Sequence, residues 1–147
     1  MDPNKAADLL KDEYIMLQTM YGDMDNKGLT VKNWAITVAL AIIGTSILRD
    51  QKLLLLVAAG TCLMFWVIEA YWRGLAHFFA VRIREIETAF RNGTWEQEPP
   101  LQLYSSWSKE YTKSKDQTLR HFFRWNTVLP HAVIFACIWV IYFLIMK

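Results

Sequence analysis

Glu69, Arg73 and His77 fall at i, i+4 and i+8, so on a helix they form one polar stripe. Arg124, Val128 and His131 place a second stripe on a later segment. Glu69 and His131 each lie a few residues inside an apolar run, and by residue count they share a depth. Charge is costly in such surroundings, so these groups must face a bundle interior or a water-filled cavity. Two chemistries fit them: a polar ring or gate on an ion pathway, or a Glu69–Arg73 pair that only fixes helix register. Catalysis finds no footing. Ser105, Ser106 and Ser108 lack a GxSxG setting and an evident base, no glycine-rich phosphate loop occurs, and the three histidines make no HExxH motif. No enzyme activity is expected. Asp23 to Gly28 (DMDNKG) invites comparison with a calcium loop, but counting from Asp23 the fifth position is Lys27 and the twelfth is Trp34, where a carboxylate is needed. Cys62 and Cys137 both sit in apolar runs, so neither a disulfide framework nor a zinc site is available. No metal and no cofactor are expected.

The elements that carry these residues follow from composition. The chain has 147 residues, 54% hydrophobic and 20% charged, with a net charge of +2. Ordinary soluble domains are about 45–50% apolar and about 25% charged. Because the apolar residues gather in blocks and the charges in the remainder, the expectation is an all-α integral membrane protein with three transmembrane helices. The blocks run from about Asn33 to Leu48, from Leu53 to Trp72 and from about Thr127 to Met146. Pro130 removes an amide donor near the start of the third, which predicts a kink. Four residues, Arg49 to Lys52, separate the first two blocks and predict a tight helical hairpin. The N-terminus lacks the basic and apolar regions of a cleavable signal.

Orientation follows from the basic residues: 13 of the 16 Lys and Arg lie in residues 1–32 and 73–125. The positive-inside rule places those segments in the cytoplasm and the C-terminus outside. Trp34, Trp66, Tyr71, Trp72 and Trp125 fall near the same headgroup level. Four units result: residues 1–28 an amphipathic helix and linker, 29–72 a transmembrane hairpin, 73–126 a cytoplasmic helical layer, and 127–147 the third span. In the first unit Asp2-Pro3 starts a helix with apolar residues at Ala6, Leu9, Leu10, Tyr14, Leu17, Met20 and Tyr21, acids on its other face, and Gly22 as its end. Span two is expected to continue without a break to Arg91 as an amphipathic extension. Its apolar side is Phe79, Ile83, Ile86 and Phe90, with Arg82, Arg84, Glu85, Glu87 and Arg91 elsewhere and Asn92-Gly93 as the cap. After Pro99-Pro100 a capping loop or short surface helix is expected, and Asp116 is placed to cap a helix running through Arg120 to Arg124 into span three.

Small residues offer association faces: Ala41 and Gly44 in span one, and Gly60, Ala70 and Gly74 in span two. Three helices cannot enclose a polar pathway, so a channel has to be a homo-oligomer. Besides the lipid bilayer and further copies of the chain, a cytoplasmic protein could dock on the amphipathic helices. Nucleic acid is not an expected partner, because few basic residues are free to neutralise phosphates.

A tyrosine-containing N-terminal helix (KDEYIMLQTMYGDMD), a close-set transmembrane hairpin and a long amphipathic helix (RIREIETAFRNG) together resemble the SLATT-type small bacterial membrane proteins over about residues 10–92. The third span departs from that two-span pattern. The resemblance implies a bacterial inner-membrane location and a pore-forming effector of a defence or conflict system. It supplies no site residues. The expected function is an oligomeric inner-membrane channel gated by the cytoplasmic helices, and the alternative is a membrane anchor or scaffold that recruits a soluble partner.

Overall fold

A computed structural model describes residues 3–113 and 117–145. Among the described residues five α-helices follow one another: α1 Pro3–Arg49, α2 Lys52–Arg91, α3 Leu103–Lys113, α4 Gln117–Phe122 and α5 Trp125–Val140. A 3-10 turn, Trp95–Gln97, precedes α3, and the end of α5 widens into π-helical bonding over Ile141–Ile145. Among the described residues there is no strand. Helices α1, α2 and α5 with its extension to Phe143 are each long and apolar enough to cross a membrane.

The largest departure from expectation is α1. The sequence predicts a helix ended by Gly22 and a linker up to Gly28, whereas one helix of 47 residues, about 70 Å long, runs through both. A glycine inside a helix costs only about 1 kcal/mol relative to alanine. Residues 25–28 repay that by packing on α2: Asp25 pairs with Arg73, Lys27 lies over the Trp72 ring, and buried Gly28 faces the Arg73 side chain. No break therefore separates residues 1–28 from the segment that follows. Because a methyl group at Gly22 would meet nothing within 4 Å, Gly22→Ala should stabilise the chain by roughly 0.5–1 kcal/mol, read as a raised melting temperature in detergent.

Helix α2, 40 residues and about 60 Å long, matches the expected span with its extension. It ends where Asn92-Gly93 predicts: the Asn92 amide donates to the Thr88 carbonyl, and Gly93 takes φ +68, a left-handed conformation that glycine adopts freely. The α1–α2 connection is Asp50-Gln51, with Asp50 at φ 51 and the Ser46 hydroxyl donating to the Gln51 carbonyl at 2.8 Å.

Two apolar clusters hold α1 and α2 antiparallel. Toward the turn, Ala39, Ile43, Leu55, Ala58 and Cys62 pack with Ile134 and Ile138 of α5. Around this cluster Leu40, Leu48, Leu53, Val57, Met64 and Val133 stand exposed, an apolar girdle of the kind a lipid phase covers. At the other end Leu10 and Leu17 pack on Ile83 and Ile86, sided by Tyr14, Phe79, Trp95 and Leu103. The amphipathic extension of α2 thus finds its partner in the N-terminal part of α1. Phe90, expected on that apolar side, is exposed and stacks on Trp95 instead.

Two charges expected on solvated faces lie inside this end. Glu13 is 2% exposed and Arg82 4%, and they pair at 3.0 Å. Arg82 also reaches Glu85, Glu98 and the Pro99 carbonyl, while Glu13 accepts the Leu101 amide at 2.7 Å. The sequence placed acids on the outer face of the first helix, but Glu13 sits between Leu10 and Leu17 on its packed face.

The layer beyond α2 departs again. Asp116, the expected cap, lies outside the described residues, and helix α4 stops at Phe122 rather than running into α5. Trp66 explains the stop: its indole N–H takes the Phe122 carbonyl at 3.0 Å and its ring stacks on Phe122 with centroids 4.3 Å apart. Arg124 is then extended (φ −71, ψ 138), and α5 begins at Trp125. Arg124 therefore precedes the helix that carries Val128 and His131.

Candidate functional site: a polar node where three helices meet

Glu69 and His131 share more than a depth. Both are fully buried, and His131 Nε2 lies 3.1 Å from Glu69 Oε2. The other carboxylate oxygen accepts from Arg73 Nε at 2.8 Å and from Lys32 Nζ at 3.1 Å. Arg73 turns a second nitrogen to Asp25 at 2.7 Å. Two cations, Lys32 and Arg73, thus face two carboxylates, Glu69 and Asp25. When His131 Nε2–H donates to Glu69, its Nδ1 is left as acceptor for the Cys62 thiol, 3.6 Å away. The flat face of Trp66 lies over the imidazole, centroids 5.6 Å apart and planes 6° from parallel.

Pro130 contributes through the bond it cannot make. A proline within a helix has no N–H for the carbonyl four residues earlier, here that of Asn126. Lys32 fills the place: its ammonium donates to the Asn126 carbonyl at 2.8 Å as well as to Glu69. One lysine of α1 therefore satisfies a backbone defect in α5 and a buried carboxylate in α2.

Of the five polar residues singled out in the sequence, Glu69, Arg73 and His131 meet in this node. His77 and Arg124 do not. They line an adjoining cleft of about 580 Å³ with Tyr21, Asp25, Arg73, Arg84, His121 and Thr127. There the His77 and His121 rings lie 5.7 Å apart, and Arg124 approaches His121 Nδ1 at 3.4 Å. Burial, then the Arg124 charge, holds both imidazoles below the usual histidine range, His121 down to about 4. At neutral pH they are therefore uncharged, each with one N–H to donate.

Comparison with protein-family models, curated proteins and solved structures gives a plain result. None of them matches this chain.

Sequence reasoning missed Asp25, Lys32, Cys62, Trp66 and Thr127. Asp25 was hidden by the expected linker, and Lys32 counted only as a basic residue that sets orientation. A signal existed: Gly28, Lys32, Ala35 and Ala39 recur at 4-3-4 spacing, which puts Lys32 on a face of small residues able to lie close to α2. Of the small residues singled out for packing, Ala70 and Gly74 are buried between helices. Ala41 and Gly60 are exposed and Gly44 half-buried, and no side chain comes within 4 Å of where a Cβ would stand on either glycine.

Proposed function

We propose that the chain is an oligomeric membrane channel or pore-forming effector whose node at the membrane boundary works as the gate. The observation that carries this reading is the ionisable set Lys32–Glu69–Arg73–His131, with Glu69 and His131 fully buried, which joins all three candidate spans where the extramembrane part of α1 and α2 begins. Ionisable groups at that depth are costly and are kept where they serve a pathway or a switch. The outward-facing Ala41, Gly44 and Gly60 leave small-residue surface free for close contact with a second copy. In this reading the node is the closed state, and a pathway opens between copies when α1 or α5 shifts against α2. The test is purified protein in liposomes, with ion flux and oligomeric mass measured together. Flux from a stable ring, altered by Cys62→Ser or His131→Gln, supports it. A monomer that conducts nothing overturns it.

A second reading, a membrane anchor or scaffold that recruits a soluble partner, is favoured by how completely the node is closed. Glu69 meets three donors and has no exposed surface, so it serves equally as a lock that fixes helix register. The monomeric, non-conducting outcome selects this reading.

A further inference from the structure

Within the cleft beside the node, one group has no partner. Thr127, the third residue of α5, is 0% exposed, and its hydroxyl meets no donor or acceptor. Buried hydroxyls are rarely left so, because an unmade bond costs the full desolvation of the group. Around it the cleft is cationic, with Arg73, Arg84 and Arg124 against Asp25 alone. Asp25 is already engaged by Arg73 at 2.7 Å. Arg84 and Arg124 make no ion pair among the described residues, and Arg124 approaches only the uncharged His121 ring, so both positive charges at this mouth are left uncompensated. Helix α5, 16 residues long, starts at the same place with Trp125 and Asn126 in the lining, so the positive end of its dipole adds to the field.

We propose that this cleft binds a phosphomonoester dianion at the headgroup level, its phosphoryl oxygens taken by Arg84, Arg124 and the Thr127 hydroxyl. A phosphomonoester carries about −1.5 to −2 at neutral pH, which matches the cleft's excess of two positive charges. A phosphodiester carries half of that and leaves one guanidinium unpaired. Arginine forks suit phosphate oxygens geometrically, and a helix start is a natural anion site. The uncharged His77 and His121 add N–H donors without adding charge. A volume of about 580 Å³ falls within the roughly 300–1,000 Å³ typical of small-molecule sites, so the phosphate arrives attached to something larger. Position indicates what that is. The cleft lies where α2 leaves its apolar stretch at Trp72 and α5 enters its own at Trp125, the depth at which a lipid phosphate sits. The same chemistry is met by a lipid bearing a terminal phosphate or by a small soluble phosphomonoester. Neither requires the chain to conduct, so the inference stands apart from the gate reading above.

The experiment uses the full chain in detergent, titrated separately with short-chain phosphatidate, short-chain phosphatidylglycerol and inorganic phosphate, and read by native mass spectrometry and calorimetry. Phosphatidate should bind at least roughly tenfold more tightly than phosphatidylglycerol. Arg84→Gln with Arg124→Gln should remove that preference, and Thr127→Val should weaken phosphatidate binding severalfold. Arg84 and Arg124 are exposed, so the helical circular dichroism and melting temperature should stay as in the parent chain. Inorganic phosphate that binds alone and displaces phosphatidate assigns the site to a soluble phosphomonoester, and phosphatidate that resists displacement assigns it to lipid. Equal affinity for both lipids, unchanged binding in the folded double variant, or no binding of phosphatidate or inorganic phosphate overturns the proposal.

Discussion

Glu69→Ala is expected to lower the unfolding free energy by about 3–5 kcal/mol, the usual consequence of stripping one partner from a buried ion pair. The carboxylate has no exposed surface and is the one group that Lys32, Arg73 and His131 share. Its loss strands a lysine that is only 16% exposed and leaves the His131 Nε2 without an acceptor. Asp25→Ala is the internal comparison. The Asp25 side chain is 39% exposed and Arg73 retains Glu69, so that change should cost only about 0–1 kcal/mol. Thermal melting by circular dichroism in one detergent, with both variants beside the parent chain, decides the matter. If the two variants melt together, the node is not the centre of the bundle's stability.

The second large effect belongs to Arg82. Arg82→Ala leaves the Glu13 carboxylate buried without its cation, and again about 3–5 kcal/mol should be lost. The damage should also be visible locally. Arg82 holds the Pro99 carbonyl at 3.0 Å and Glu13 holds the Leu101 amide, while Leu101 itself sits at φ +62, a conformation disfavoured for its side chain. Faster amide exchange confined at first to residues 98–103 is the signature. Glu13→Leu combined with Arg82→Met replaces the pair with apolar groups of similar length, and it should recover most of the stability because no charge is then left uncompensated. Leu101 is 66% exposed, so water can take over its amide. If the double variant is no better than Arg82→Ala alone, the pair contributes specific geometry and not charge compensation alone.

What the sequence made legible follows hydrophobic periodicity. Long apolar runs, the short hairpin turn and the α2 extension with its Asn92-Gly93 end were all readable, because each is a local pattern and long helices repeat it many times. The break at α4 was not, because it depends on Trp66 taking the Phe122 carbonyl from 56 residues away. Gly22 misled for the opposite reason: a local stop signal was overridden by packing on α2. At the site, Glu69 and His131 stood out as polar residues in apolar surroundings. Lys32 did not, since a basic residue near the edge of a span reads as an orientation signal. By residue type Glu13 and Arg82 read as solvated, although each sits one helical turn from residues of the packed apolar cluster. Type alone could not reveal that their charges cancel in pairs.

The unbroken α1 also has a mechanical consequence. With Lys32 as the fulcrum, about 44 Å of helix lies toward Pro3 and about 26 Å toward Arg49. A tilt of roughly 5° about that point moves the outer tip by about 4 Å and the hairpin turn by about 2 Å in the opposite direction, by the same helix dimensions. A rod without a joint cannot absorb a push at one end. A load applied to the outer arm is delivered, nearly halved in travel and nearly doubled in force, to the hairpin turn at Asp50-Gln51.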